Sequence, residues 1–477
     1  LEWIHWLLLI LDGALALAVA GHALLHKRDP RAALGWATVC LAFPPLGPIL
    51  YFLFGFNRVR TRAQKLSLPD GPDTADEASD TSHHGTAPFE DASLPQGWRD
   101  VIRVSEALTG HRPSAGNRIA IFHNGEEAYP AMLAAIDRAR DSVFLSTYIF
   151  ESNRTGRTFI ERLAEASRRG VDVRVLLDGV GEWYSLPRAG NLLRKAGVRM
   201  ARFLPPRIIP PSFSINLRNH RKVLVVDGRS VFLGGMNIGD RHLAQDTSKR
   251  TRIVDTHFRV EGPVVVRIEQ AFLHDWHFCT GETLKGSGEL PGPAGDAVCQ
   301  VVLDGPDEDL DKLGMILVTA VSEAQERVWI MTPYFLPPRD LIGALQTAAL
   351  KGVDVRIILP GRNNLPFVHW ATRNMLWELL RRQVRVYYQP PPFVHSKLLI
   401  VDDFYAQVGS ANIDPRSLRL NFELTLEIYS PSIAASIAAH MAESLARAKE
   451  FGLDDLERRS LPARLRDGLA WVLSPYL

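Results

Sequence analysis

Apolar and polar positions divide the chain into an apolar N-terminal part, a polar stretch and a long repeated part. Residues 3–25 are nearly all apolar, and residues 32–56 form a second apolar run. Each is long enough to cross a bilayer, which takes about 20 residues. Between them lies the polar turn His26-Lys27-Arg28-Asp29-Pro30-Arg31. The pattern predicts an N-terminal transmembrane helical hairpin over residues 1–57. Two details strain it. Asp12 lies inside the first run, where a carboxyl is costly without a partner. Pro44, Pro45 and Pro48 interrupt the second, which predicts a kink or a re-entrant segment. A cleaved signal peptide fits less well, because the second run follows at once and no small-residue cleavage site stands out. Basic residues flank both the turn (Lys27, Arg28, Arg31) and the far end (Arg58, Arg60, Arg62, Lys65). With the larger group inside, the rest of the chain is cytoplasmic and the protein a multi-pass membrane one.

Residues 66–96 are rich in Pro, Gly, Ser and Asp and read as a flexible acidic tether. The expected linker, partly disordered, covers 58–117. Beyond it the pattern repeats. Residues 142–150 and 327–335 read as buried strands, each preceded by a helical pattern (128–140 and 310–325). A second helical pattern then ends at Gly170 or Gly352. Val171-Asp172-Val173-Arg174-Val175-Leu176-Leu177 and Val353-Asp354-Val355-Arg356-Ile357-Ile358-Leu359 follow as near-identical strands. Alternating strands and helices indicate an α/β class, and a repeat this long is a domain duplication. The predicted domains are 118–290 and 298–477, divided by a Gly/Pro-rich stretch near 280–297.

Composition narrows the class. A 477-residue chain that is 46% hydrophobic can bury a large core, and a net charge of +2 argues against a general nucleic-acid binder. The three cysteines, Cys40, Cys279 and Cys299, have no paired spacing, which fits a reducing compartment and no cysteine metal cluster.

The strongest chemical signal is a duplicated string. His220-Arg221-Lys222-Val223-Leu224-Val225-Val226-Asp227 recurs as His395-Ser396-Lys397-Leu398-Leu399-Ile400-Val401-Asp402, so both copies read H-x-K-(x)4-D. Each is trailed by small residues and an asparagine, Gly234-Gly235-Met236-Asn237 and Gly409-Ser410-Ala411-Asn412. On a strand, His and Lys two apart share a face. Two imidazole–ammonium sets suggest one phosphodiester site built from two halves. Lysines and asparagines hold phosphate oxygens, one imidazole attacks phosphorus and the other protonates the leaving alcohol. An ammonium beside each imidazole repels a cation, so no metal and no cofactor is expected.

The paired motif resembles the phospholipase D superfamily. The continuation Asn412-Ile413-Asp414-Pro415-Arg416-Ser417 and Asn421-Phe422-Glu423, with the apolar N-terminus, resembles bacterial cardiolipin synthases. The resemblance implies two α/β sandwich domains related by a pseudo-twofold axis, with the motifs meeting between them. It implies His220 as nucleophile and His395 as acid/base, roles that spacing alone does not assign. It implies Lys222 and Lys397 on the phosphate, with Asn237, Asn412 and Ser410 binding substrate. Gly235 stands where Ser410 stands, so a hydroxyl is missing from the first half. Asp255 and Glu423 resemble the family's acidic partners of the histidines. Asp227 and Asp402 are counted in the catalytic set with the two histidines and lysines because they complete the motif, although in such proteins they tie the motif strand to neighbouring groups.

The implied reaction is phosphatidyl transfer between two phosphatidylglycerols, giving cardiolipin and glycerol through a phosphohistidine. A hydrolase, another phosphatidyltransferase and a non-catalytic membrane scaffold are the alternatives. The expected partners are phosphatidylglycerol and an anionic phospholipid membrane, with no nucleic acid and with homo-oligomerisation open. The proline-broken run 204–220 reads equally as an acyl-chain entrance or an irregular loop. The C-terminal run 469–473 reads equally as a lipid contact or a core helix.

Overall fold

The computed structural model describes residues 2–27, 30–55, 94, 96–206, 217–249, 251–288, 290–306 and 311–474. Much of the expected tether and of the 204–220 run lies outside them. The chain divides into two units, an N-terminal helical one and a larger body holding the described residues from 94 onward.

In the N-terminal unit one helix, Glu2–His26, is long and apolar enough to cross a membrane. The second apolar run is not one helix. It is helical over Pro30–Ala42, breaks before Pro44 and Pro45, and resumes as the short helix Leu46–Leu50 and a π-turn at Tyr51–Gly55. Proline has no N–H to donate and fixes φ, so the break falls where these residues stand. The two longer helices pack through small side chains, with Ala20, Ala23, Ala37 and Cys40 buried together against Tyr51.

Among the described residues, the body is built on a mixed sheet of fifteen strands. From one edge the order is Arg199–Phe203, Asp172–Asp178, Ser142–Thr147, Val223–Val226, Ser230–Gly234, Thr256–Glu261 and Ser114–His123. It continues with Ala297–Asp304, Glu423–Tyr429, Tyr405–Gly409, Leu398–Val401, Arg327–Met331, Asp354–Pro360, Arg385–Gln389 and Lys449–Phe451. Apart from the last strand, the second half mirrors the first. The halves meet where Ser114–His123 runs antiparallel to Ala297–Asp304, which is the pairing a pseudo-twofold axis requires. Each motif strand, Val223–Val226 or Leu398–Val401, is buried at every position in the middle of its half. The run of branched aliphatics after each lysine fits such a strand, covered on both faces.

Two boundaries differ from the sequence expectation. Residues 96–117 are not linker. The helix Gln96–Thr109 buries Trp98, Val101 and Ile102 in the core of the second half, beside Leu313 and Ile316. Trp98 also stacks on Tyr405 at 5.3 Å between ring centroids. The strands expected over 142–150 and 327–335 leave the sheet after Thr147 and Met331. Phe150 and Phe335 then bridge to Ile238 and Ile413, the residues after the two motif asparagines.

Candidate active site

Each motif histidine sits just before its buried strand, on backbone borrowed from the other half. The N–H of His220 donates to the carbonyl of Phe422 (2.9 Å), and the N–H of His395 to the carbonyl of Val254 (2.8 Å). Phe393–Val394 runs parallel to Ile253–Val254, and Asn219 bridges to Phe422 in the same sense. The residue after each accepting carbonyl is an acid. Hence His220 Nδ1 lies 3.1 Å from Glu423 Oε2, and His395 Nδ1 lies 2.9 Å from Asp255 Oδ2. In each pair, the imidazole and the carboxylate come from opposite halves.

The two lysines complete the cluster. Lys222 and Lys397 are 2% and 5% exposed, whereas His220 and His395 remain 9% and 8% exposed, so the imidazoles are the more open members. Each ammonium donates to the carbonyl of its own histidine, two residues earlier. Lys397 Nζ also lies 3.0 Å from both ring nitrogens of His395, and Lys222 Nζ sits 5.5 Å from the centre of the Tyr148 ring.

Burial sets the protonation states. It lowers His220 to about 4, against the pull of Glu423 and with the help of Lys222. It lowers His395 to about 4, helped by Lys397 and opposed by Asp255. Both imidazoles are therefore neutral near pH 7 without substrate. Burial also brings Lys222 down to about 7 and Lys397 to about 8. For Asp255 and Glu423 burial is the largest single influence and acts upward, but their histidine partners, a lysine and further neighbours together outweigh it and both carboxyls fall below their ordinary values. Charges from the two halves perturb one another throughout, with Lys397 acting on His220 and Lys222 on His395.

Among the other expected residues, Ser410 has a different place. Its hydroxyl donates to Glu423 Oε2 at 2.6 Å and its carbonyl lies 3.2 Å from His220 Nδ1. It braces the acid–imidazole pair, and its proton is not free for a phosphate. The glycine in the matching position has a steric reason: a Cβ on Gly235 would lie 2.6 Å from Asp255 Oδ1. Asn237 accepts the Ile149 N–H at 3.0 Å. Asn412 donates to the Ser417 hydroxyl at 3.1 Å, while its Oδ1 is buried without a partner among the described residues.

Asp227 and Asp402 do not join the cluster, which corrects their inclusion in the catalytic set. Each lies seven residues past its histidine, roughly 20 Å along an extended chain. Asp227 accepts the N–H groups of Arg140, Asp141 and Ser142, and Asp402 those of Gln325, Glu326 and Arg327. They anchor the far end of the motif strand to the turn before its neighbour.

Several residues of the site carried no signal in the sequence. Asp178, at the end of a buried strand, accepts the N–H groups of Val180, Gly181 and Asn219 and so fixes the approach to His220. Asp275 takes Asn219 and Arg221, the two neighbours of that histidine. Asn421, marked in the sequence only within the continuation that carries the resemblance, donates to Glu423 Oε1 at 3.1 Å. The Tyr148 ring stands edge-on 5.2 Å from His220, with Tyr184 a further 6.2 Å out. Phe393 stands 5.9 Å from His395, with Tyr334 6.5 Å beyond. Among the described residues, no three His, Cys, Asp or Glu side chains converge as a metal site.

This arrangement engages the Nδ1 of each imidazole with a carboxylate of the other half, while the Nε2 of His395 lies within reach of the Lys397 ammonium. It suits a displacement at phosphorus with a proton moved at the opposite oxygen.

Comparison with known proteins agrees with this geometry. A family described as cardiolipin synthase, PLD-like domain, matches residues 132–276 and 317–445, and a phospholipase D-nuclease N-terminal family matches 14–55. A cardiolipin synthase of Geobacillus kaustophilus (strain HTA426) is 32% identical over 459 residues, 95% of this chain and 90% of that one. The major cardiolipin synthase of Bacillus subtilis (strain 168) is 31% identical, covering 95% of each chain. Cardiolipin synthase A of Pseudomonas putida is 31% identical over 97% of this chain and 96% of that one. The crystal structure of a phosphatidylserine synthase from Haemophilus influenzae superposes with a TM-score of 0.61 at 15% identity, covering 79% of this chain and all of that one, and shares the fold. With both halves matched and the likeness running along nearly the whole length, the chain belongs to the cardiolipin synthase family with PLD-like domains.

Proposed function

We propose that this chain is a phosphatidyltransferase that makes cardiolipin from two molecules of phosphatidylglycerol and releases glycerol. The observation that carries the reading is the crossed clamping of the two imidazoles, each held at Nδ1 by a carboxylate of the other half beside a buried lysine. His220 Nε2 attacks the phosphorus of the first lipid, and a P–N bond forms as the P–O bond to the glycerol headgroup breaks. His395 donates a proton to that leaving oxygen. The second phosphatidylglycerol then brings a glycerol hydroxyl, His395 takes its proton, the oxygen attacks phosphorus and the P–N bond breaks. One phosphodiester replaces another, so no energy source is consumed.

The free site has neutral imidazoles, as a nucleophile needs. The acid role of His395 requires a proton, and a bound phosphodiester anion supplies the reason to hold one by offsetting the ammonium charges that depress both imidazoles. Lys222 and Lys397 neutralise the charge that grows on the equatorial oxygens. Asn412, whose amide oxygen is buried without a partner among the described residues, offers its N–H groups to phosphate when the amide is flipped. Glu423 and Asp255 hold the imidazoles in the tautomer with Nδ1 protonated. The N-terminal apolar helix supports anchoring in a membrane, and the reading takes this to be the bacterial inner membrane, entered as a hairpin with a cytoplasmic body.

The test is to incubate the purified chain with phosphatidylglycerol carrying a labelled headgroup. Cardiolipin with labelled glycerol in equal amounts is the expected outcome. Phosphatidic acid in place of cardiolipin makes the enzyme a hydrolase, and no turnover makes it a scaffold.

A further inference from the structure

The helix Leu461–Val472 leaves an apolar face uncovered. Leu461, Leu465, Leu469 and Val472 are 67%, 66%, 65% and 63% exposed. Their spacing of four, four and three places them on one side of a helix. Water-exposed leucines scattered singly need no explanation, but four in register make a continuous patch. The opposite side is fixed to the body. Ala470 is buried with Leu336, Val368 and Ala371, and the only acid of the helix, Asp467, is buried against Arg459 and Arg466. The exposed charges on the helix are Arg464 and Arg466, the second held by Asp467 and lying over the Trp370 ring, and just before the helix Glu457 and Arg458 are both exposed.

The patch continues toward the active site. Burial of Ala470 beside Val368 and Ala371 sets the C-terminal end of the helix over the first turn of Pro366–Leu380, which carries Phe367, 55% exposed. Asn364, two residues before that helix, accepts the hydroxyl of Tyr334 at 2.9 Å. The Tyr334 ring leads through Phe393 to His395.

We propose that the exposed face of Leu461–Val472, with Phe367, is an interfacial docking surface that seats the catalytic body on an anionic phospholipid bilayer. The inference rests on the proposed reaction for the identity of its lipid. Leucines on one face with arginines beside them are what a helix lying in the headgroup layer requires, the aliphatic stems entering the acyl boundary and the cations meeting phosphates. A second copy of the chain would meet the same arginines on its own surface, and like charges oppose that contact. Docking here brings the Tyr334–Phe393 side of the site to the lipid surface, so a headgroup reaches His395 without its acyl chains leaving an apolar environment.

The experiment uses the full chain in phosphatidylglycerol vesicles. A fluorophore on Leu465→Cys, read against the labelling of the unsubstituted chain, should be quenched by nitroxide lipids in the bilayer. The pair Leu461→Glu and Leu469→Glu, both at exposed positions, should abolish that quenching. The same pair should cut turnover of vesicle phosphatidylglycerol about tenfold and change turnover of dispersed short-chain phosphatidylglycerol less than twofold. No quenching at residue 465 overturns the proposal, as does unchanged vesicle turnover in the double variant. A dimer in detergent that Leu465→Glu dissociates also overturns it and assigns the face to a second copy. If the unsubstituted chain turns over neither form of lipid, the proposed reaction fails, while quenching still decides whether the face docks.

Discussion

His220 Nδ1 lies 3.1 Å from Glu423 Oε2, so an imidazole of the first half is oriented by a carboxylate of the second. The bond fixes the tautomer and the ring angle and supports positive charge on the ring. Glu423→Gln keeps the shape and loses the charge. Turnover should fall about 10²-fold or more with KM changed little. Steady-state kinetics on phosphatidylglycerol check it, and unchanged turnover removes Glu423 from this role. Asp255→Asn should act in the same way through His395.

The two histidines should separate when the leaving group needs no proton. With a p-nitrophenyl phosphodiester, His395→Ala should still release a burst of nitrophenol, while His220→Ala should release none. With phosphatidylglycerol each substitution should lower turnover by about 10⁴-fold or more. A burst from His220→Ala and none from His395→Ala would exchange the two assignments.

Anion binding should follow the lysines. Lys222 is held at about 7 and Lys397 at about 8, chiefly by burial. Each gains positive charge as the pH falls through its own value. Sulfate keeps a fixed charge over this range, so its inhibition constant should tighten from pH 9 to pH 6. Roughly tenfold is expected, and Lys222→Gln should remove much of it. A constant that does not vary with pH contradicts the assigned protonation states.

Asp402 accepts three backbone N–H groups at the turn of Gln325 to Arg327. Asp402→Ala leaves them without that acceptor and should cost about 1–3 kcal/mol of stability. Turnover per folded molecule at low temperature should stay within a few-fold. Denaturation and kinetics on the same preparation separate the two effects. A large loss of turnover without loss of stability would return Asp402 to the catalytic set.

Stability should fall in mild acid. Burial lowers His220, His257 and His395 to about 4, below the ordinary unfolded value of about 6.5. Between those values the unfolded chain takes up protons that the folded chain refuses. Folding therefore weakens as pH falls through this window, by up to about 2 kcal/mol per histidine between pH 6.5 and 5. Denaturant midpoints at the two pH values measure it, and His257→Asn should reduce the difference. Midpoints that do not move would contradict the burial of these rings.

Much of this site was legible in the sequence because its information is local. The period-2 placement of His220 with Lys222, and of His395 with Lys397, needs only a strand. The repeated Val-Asp-Val-Arg runs needed only comparison along the chain. Pairing between halves is not local. Asp255 follows His220 in its own half but holds His395, because short parallel segments cross between the halves before each acid. No spacing encodes that crossing. The hydroxyl of Ser410 was misassigned for the same reason, since its acceptor, Glu423, is a neighbour only through the sheet. The boundary at 96–117 was missed because Gln96–Thr109 mixes charged and apolar residues, and its partners lie some 200 residues away in the second half.

The crossed acids also bear on ancestry. A single half with this layout would hold an imidazole without its carboxylate and a carboxylate without its imidazole. A forebear encoding one half would have worked only by pairing with an identical copy, each lending the other its acid. Fusion of two such genes would free the copies to diverge, and Gly235 beside an aspartate against Ser410 beside a glutamate is a difference of the kind that follows.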